Sequence, residues 1–204
     1  MLKPLLLLST ILNIINIHFV PNSVKGNVIT PTINPKFSST LHVDIRVMLT
    51  HYILDGQLVT NADINGLFAS VYGDDPNSWW GKLNATVVVH PESNSTATIY
   101  SVNNGECASK SVNQSQIPSL MIPPSATFEG KTAVGSVLCE IWQVKDPYPQ
   151  VYYTNVYVSK GNIYQIQTLY STTAAIDAEI NVYFQNHDFN IPDSSWFLKP
   201  QVCK

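Results

Sequence analysis

The chain has 204 residues, a formal net charge of -3 and only 12% charged residues. It lacks the basic excess that a nucleic-acid surface needs, so nucleic acid is excluded as a partner class. Its polarity comes mainly from Asn, Ser, Thr and Tyr, the makeup of a weakly charged extracellular surface built on strand formers.

In chain order, Lys3 is followed by an apolar stretch that includes Leu5, Leu8, Ile11, Ile14, Ile17 and Val20, with no charge until Lys25. A basic n-region before an apolar h-region reads as a secretory signal over residues 1–24, cut between Ser23 and Gly26. An uncleaved anchor is the alternative, although Asn13, Asn16 and His18 interrupt the run. No comparably apolar run follows, so no transmembrane segment is expected after cleavage. Residues 25–204, about 180 in number, suffice for one domain with its own core. The expected location is extracellular, or the lumen of the secretory or endolysosomal pathway.

Phe37, Ser39, Leu41, Val43, Ile45 and Val47 alternate with Ser38, Thr40, His42, Asp44 and Arg46. That period of two predicts a strand with one buried face. Leu67 to Tyr72 is a second run. Trp79 to Val89 is a third, entered through the turn cluster Gly73-Asp-Asp-Pro-Asn77, and Thr96 to Val102 is a fourth, closed by Asn103-Asn-Gly. Ala108 to Pro124, rich in Ser, Gln, Asn and Pro, reads as a long surface connection with room for one helical turn. Strands resume at Thr127–Lys131 and Ser136–Val144. Val151–Ser159 and Ile163–Tyr170 flank the hairpin signal Lys160-Gly-Asn162. Ala175–Gln185 is the last; Ala174 to Ile180 suits a helix by propensity, but Ile180-Asn-Val-Tyr-Phe favours a strand. The expectation is an all-β chain of about nine or ten strands in one antiparallel domain; a β-sandwich is the alternative.

Three sequons, at Asn84, Asn94 and Asn113, are candidate glycan sites in a secreted chain. The three cysteines, Cys107, Cys139 and Cys203, allow one bridge with a free thiol, or an intermolecular bond. Cys139 shares a strand face with Val137 and Ile141 and reads as a small buried hydrophobe. Cys107 follows a turn and Cys203 ends the chain, which favours a Cys107–Cys203 bridge.

Ile122-Pro-Pro-Ser-Ala-Thr-Phe-Glu-Gly130, then Gly135, Trp142, a tyrosine-rich hairpin, Phe189-x-Ile-Pro and Phe197-x-x-Pro-x-x-Cys203 together resemble the second half of ependymin-type proteins. The same order is similar to LolA-like domains. The resemblance covers residues 81–203, and the chain has fewer cysteines than ependymins. It implies a single antiparallel sheet of about nine to eleven strands curled into a half-barrel around an apolar cavity, and the pairing of Cys107 with Cys203. It also implies a lipid or fatty-acyl ligand. Leu41, Val43, Ile45, Val47, Trp142, Tyr152, Val156 and Ile166 are the residues expected to line the cleft. A filled core serving adhesion or matrix contacts, with a homodimer left open, is the competing expectation. A secreted hydrolase is a third.

Signals for chemistry are sparse. No Gly-x-Ser-x-Gly elbow and no His-Glu-x-x-His is present, so no catalytic residue, metal or cofactor is assigned. His42 and Asp44 share a strand face and are placed to pair. Asp74-Asp75 reads as a solvated turn rather than the calcium contact that the ependymin resemblance implies. Glu129 and Glu140 have no spacing that joins them into a carboxylate pair.

Overall fold

The computed structural model describes residues 30–47, 49–76, 81–93, 95–113, 121–144, 151–171, 177–190 and 192–204, the side chains of residues 171 and 177 excepted. Eleven strands form one sheet: β1 Lys36–Val47, β2 Thr50–Asn61, β3 Gly66–Asp74, β4 Lys82–Pro91, β5 Thr96–Asn103, β6 Glu106–Asn113, β7 Thr127–Val134, β8 Val137–Val144, β9 Val151–Ser159, β10 Asn162–Ser171 and β11 Asp177–Asp188. Their order is β6-β5-β4-β3-β2-β1-β11-β10-β9-β8-β7, and every neighbouring pair is antiparallel. Two hairpin meanders, β1–β6 and β7–β11, therefore meet at the β1–β11 pair. The sheet stays open, with β6 and β7 as its edges.

Two strands depart from the sequence expectation. β2 was not anticipated. It carries Ile53 beside Leu54 and Leu58 beside Val59, with Gly56 between them, and this doubling hides the period of two. β6 occupies the first part of the expected surface connection. Only Val112 is buried on it, so apolar alternation gives no sign of a strand held by its ladder to β5. Residues 114–120 of that connection, and residues 174–176 of the helix-or-strand segment, lie outside the described residues, as do the turns around Asn77 and Asp146.

Directly opposed residues in antiparallel strands share a face, so the register sorts the side chains into two sets. On one face Leu41 lies against Phe184, Val43 between Leu54 and Val182, and Ile45 against Ile180. The same face continues through Leu58, Ala69 and Val87 to Ala97 and Val112, and in the other direction through Ile166 and Val156 to Trp142. These residues form one buried apolar cluster that reaches from the β6 edge to β8. The sheet curls around this face, which is its concave side. The cluster is large enough for area burial at about 25 cal/mol per Å² to be the main stabilising term.

The opposite, convex face is polar over β8–β11 and β1. Across β8, β9, β10 and β11, Gln143, Asn155, Gln167 and Glu179 hydrogen-bond in sequence, and Tyr157 donates to Gln167 Oε1 at 2.8 Å. Over β3–β6 the convex face is apolar instead, and the C-terminal segment covers it. Phe197 is buried over Gly66, where a Cβ would come within 2.7–2.8 Å of the phenyl ring. Trp196 meets Phe68 edge-on, and His90 Nδ1 donates to the Phe197 carbonyl at 2.6 Å. The chain then reaches a second cluster of Val88, Tyr100 and Cys203, with Phe68, Val102 and Cys107 packed against it.

Candidate functional site

The concave face is the best-formed candidate for function, and its residues come from every part of the sequence. Six of the eight residues expected to line a cleft, Leu41, Val43, Ile45, Trp142, Val156 and Ile166, are buried in its cluster. Val47 is partly buried against the same cluster at the end of β1. Tyr152 has the parity of Thr154 and Val156 but sits at the start of β9, where it is 64% exposed. It stands at the rim rather than on the floor. The face has few polar interruptions. Thr154 and Thr168 are buried there and hydrogen-bond to each other at 3.2 Å, so neither hydroxyl is orphaned.

Sequence reasoning did not anticipate where this face opens. At the end of the sheet formed by the β9–β10 turn, a cavity of about 360 Å³ lies between the N-terminal segment around Pro31 and the inner side of β7–β9. Its wall includes Val158, which also belongs to the apolar cluster, and Leu138, which is 64% exposed. The volume falls at the small end of the range for ligand pockets, about 300–1,000 Å³. The turn is firmly set. Lys160 and Gly161 both adopt positive φ, 51° and 78°, as a two-residue hairpin turn of mirror-image type requires. The amide of Asn34 donates to the Gly161 carbonyl at 2.8 Å, tying the N-terminal segment across the opening.

The histidines pair across strands. His42 Nδ1 lies 3.0 Å from Asp55, and Asp44 instead receives His51 Nε2 at 2.8 Å and Arg46 Nη2 at 3.0 Å. Residues two apart on one strand are about 6–7 Å apart along it, farther than directly opposed residues on neighbouring strands. The long Arg46 side chain spans that distance to Asp44, whereas His42 bonds Asp55, directly opposite it in the β1–β2 ladder, and the His42–Asp44 pair does not form. Asp44 pushes the Arg46 guanidinium further above its usual range through its hydrogen bond and charge. Burial pushes the Cys139 thiol up, an inert environment for a nucleophile. Among the described residues no three His, Cys, Asp or Glu side chains come together as metal ligands. Glu140 accepts from Trp142 Nε1 at 3.3 Å and lies 3.4 Å from Lys131 Nζ.

Cys107 and Cys203 form a disulfide with Cα atoms 5.3 Å apart, which fastens the C-terminal segment to the β6 edge. Cys139 is a buried free thiol. Asn84 is exposed on β4, and Asn113 is exposed at the end of β6. Asn94 lies outside the described residues. No helix among the described residues is long and apolar enough to cross a membrane.

No family model matches the chain, and comparison with curated proteins finds no match. Among solved structures, the chain is similar to a LolA superfamily protein from Nitrosomonas europaea, with 4% identity and a TM-score of 0.41 over 80% of this chain and 90% of that one. It is similar to a DUF1329 family protein from Desulfovibrio piger, with 10% identity and a TM-score of 0.39 over 80% and 90%. A third likeness, to the MucA/MucB complex of Pseudomonas aeruginosa, has 9% identity and a TM-score of 0.38. It covers 83% of this chain and 57% of that one.

Proposed function

We propose that this protein is a secreted glycoprotein that carries a lipid or other hydrophobic ligand in the concave face of its curled sheet. It acts as a binding protein rather than an enzyme. The observation that carries the reading is the continuity of one apolar face across an open sheet, with a cavity at its end sharing Val158. An open sheet suits a carrier physically. No ladder joins β6 to β7, so the walls can part around an acyl chain without breaking strand hydrogen bonds. The bond between Cys107 and Cys203 supports an oxidising compartment. Asn84, Asn94 and Asn113 are the glycan sites of this reading. The motif resemblance to ependymin-type and LolA-like proteins points the same way.

A second reading, an adhesion or matrix protein with a filled core and homodimeric contacts, is favoured by one observation. Leu41, Val43, Ile45 and their neighbours are already buried against one another. Native mass spectrometry of the full chain, secreted from a eukaryotic host, separates the two. A carrier shows a mass excess over the glycoprotein, released on denaturation and recovered in the lipid extract. A mass equal to the glycoprotein alone, with no uptake of a fluorescent fatty acid after delipidation, favours the second reading.

A further inference from the structure

We propose that Lys131 and Lys160 form a head-group subsite for an anionic amphiphile at the mouth of the concave face. The inference rests on the reading of that face as the ligand site, and it names the chemical class of the ligand. The cavity at the β9–β10 turn is amphipathic in a definite sense. Pro31, Leu138 and Val158 give it apolar walls, and Val158 continues into the buried cluster. Its charged groups are Lys131, Lys160 and Glu140. Glu140 is already engaged, 3.4 Å from Lys131 and accepting from Trp142 at 3.3 Å. Lys131 and Lys160 against the single carboxylate of Glu140 leave a net positive charge on the wall of this cavity.

That excess is held in place by backbone. Lys160 occupies a left-handed position of the hairpin turn, which Gly161 completes. A Cβ at Gly161 would lie 2.9 Å from the Thr32 carbonyl, so the N-terminal segment packs directly on this turn. Lys131 is directly opposite Glu140 in the β7–β8 ladder, and Glu140 is opposite Val158 on β9. The charged rim and the apolar floor are thus parts of the same three strands. A ligand with a buried hydrocarbon tail and one anionic head satisfies both, whereas an uncharged chain leaves the net positive charge of the rim unmatched. Carboxylate and phosphate monoester heads share this chemistry.

The test uses the delipidated full-length protein and three ligands with the same hydrocarbon tail: oleic acid, oleyl phosphate and oleyl alcohol. At low salt at least one anionic ligand is expected to bind about tenfold more tightly than the alcohol, and the stronger of the two identifies the head group. In the double variant Lys131→Gln/Lys160→Gln the gap closes while the affinity for the alcohol is unchanged. Glu140→Gln, which frees Lys131, widens it. Should the double variant fail to fold, Lys160→Gln alone, on an exposed turn, is expected to narrow the gap. Equal affinities in the native protein, or a gap that survives loss of the lysines, overturn the subsite and leave the carrier reading standing. Binding of none of the three overturns both.

Discussion

Gly66 shows how much of this fold depends on single positions. Any side chain there would push into the Phe197 ring, since even a Cβ comes within 2.7–2.8 Å of it. Gly66→Ala is therefore expected to lower stability by about 1–3 kcal/mol, the usual range for overpacking. Phe197→Ala removes a buried ring and is expected to cost about 3–5 kcal/mol. Urea unfolding of the two single variants and the double variant checks the contact. The glycine substitution should lose most of its cost once the ring is gone, and strict additivity would contradict it. Burial raises the Tyr157 and Tyr183 phenols above their usual range, with Asp44 adding to the rise at Tyr183, and it raises the Cys139 thiol as well. A group whose folded pKa is raised contributes stability below its ordinary pKa and loses it as pH climbs through the folded value. Unfolding free energy should thus decline as pH passes the ordinary thiol range and then the phenol range. In a phenolate absorbance titration, part of the tyrosine signal should appear only as the protein unfolds. Full titration of every tyrosine with the fold intact would contradict the assignment.

At the scale of elements, the C-terminal segment is a strap over the convex side of β3–β6. Its disulfide closes a loop of 96 residues in sequence separation. Chain-entropy arguments assign such a loop about 4–5 kcal/mol. Cys107→Ser and Cys203→Ser are each expected to shift the urea midpoint downward by a similar amount, and the double variant no further. A Cys203→Ser protein with unchanged thermal stability would remove the strap from the account. The anchor of the strap was legible in the sequence, since Cys107 after a turn and Cys203 near the last residue favour their bridge. β1 was legible through strict alternation, and the β9–β10 hairpin through Lys160-Gly-Asn. β2 and β6 were not. The first carries apolar residues on both faces, because the strap side of the sheet is apolar too. The second is an edge strand defined by hydrogen bonds that composition does not encode. The β1 part of the proposed lining, Leu41, Val43, Ile45 and Val47, was readable from apolar parity. The cavity was not, since Lys131, Glu140 and Lys160 belong to β7, β8 and the β9–β10 turn, which only the register brings together.

For the whole molecule, the two faces divide the work. The convex side is tied down by a strap at one half and by an amide and tyrosine ladder at the other. The concave side carries one apolar surface on strands whose outer edges are not joined. The four tryptophans allow the central claim to be tested by position, because Trp142 lies on the concave face and Trp196 on the convex one. Delipidated protein retaining Trp142 alone, with Phe at positions 79, 80 and 196, is titrated with a fatty acid brominated along its chain. A parallel titration uses protein retaining Trp196 alone. Saturable quenching of Trp142 with Trp196 unaffected is the expected result. Quenching of Trp196 alone, or of neither, would contradict a ligand held in the concave face.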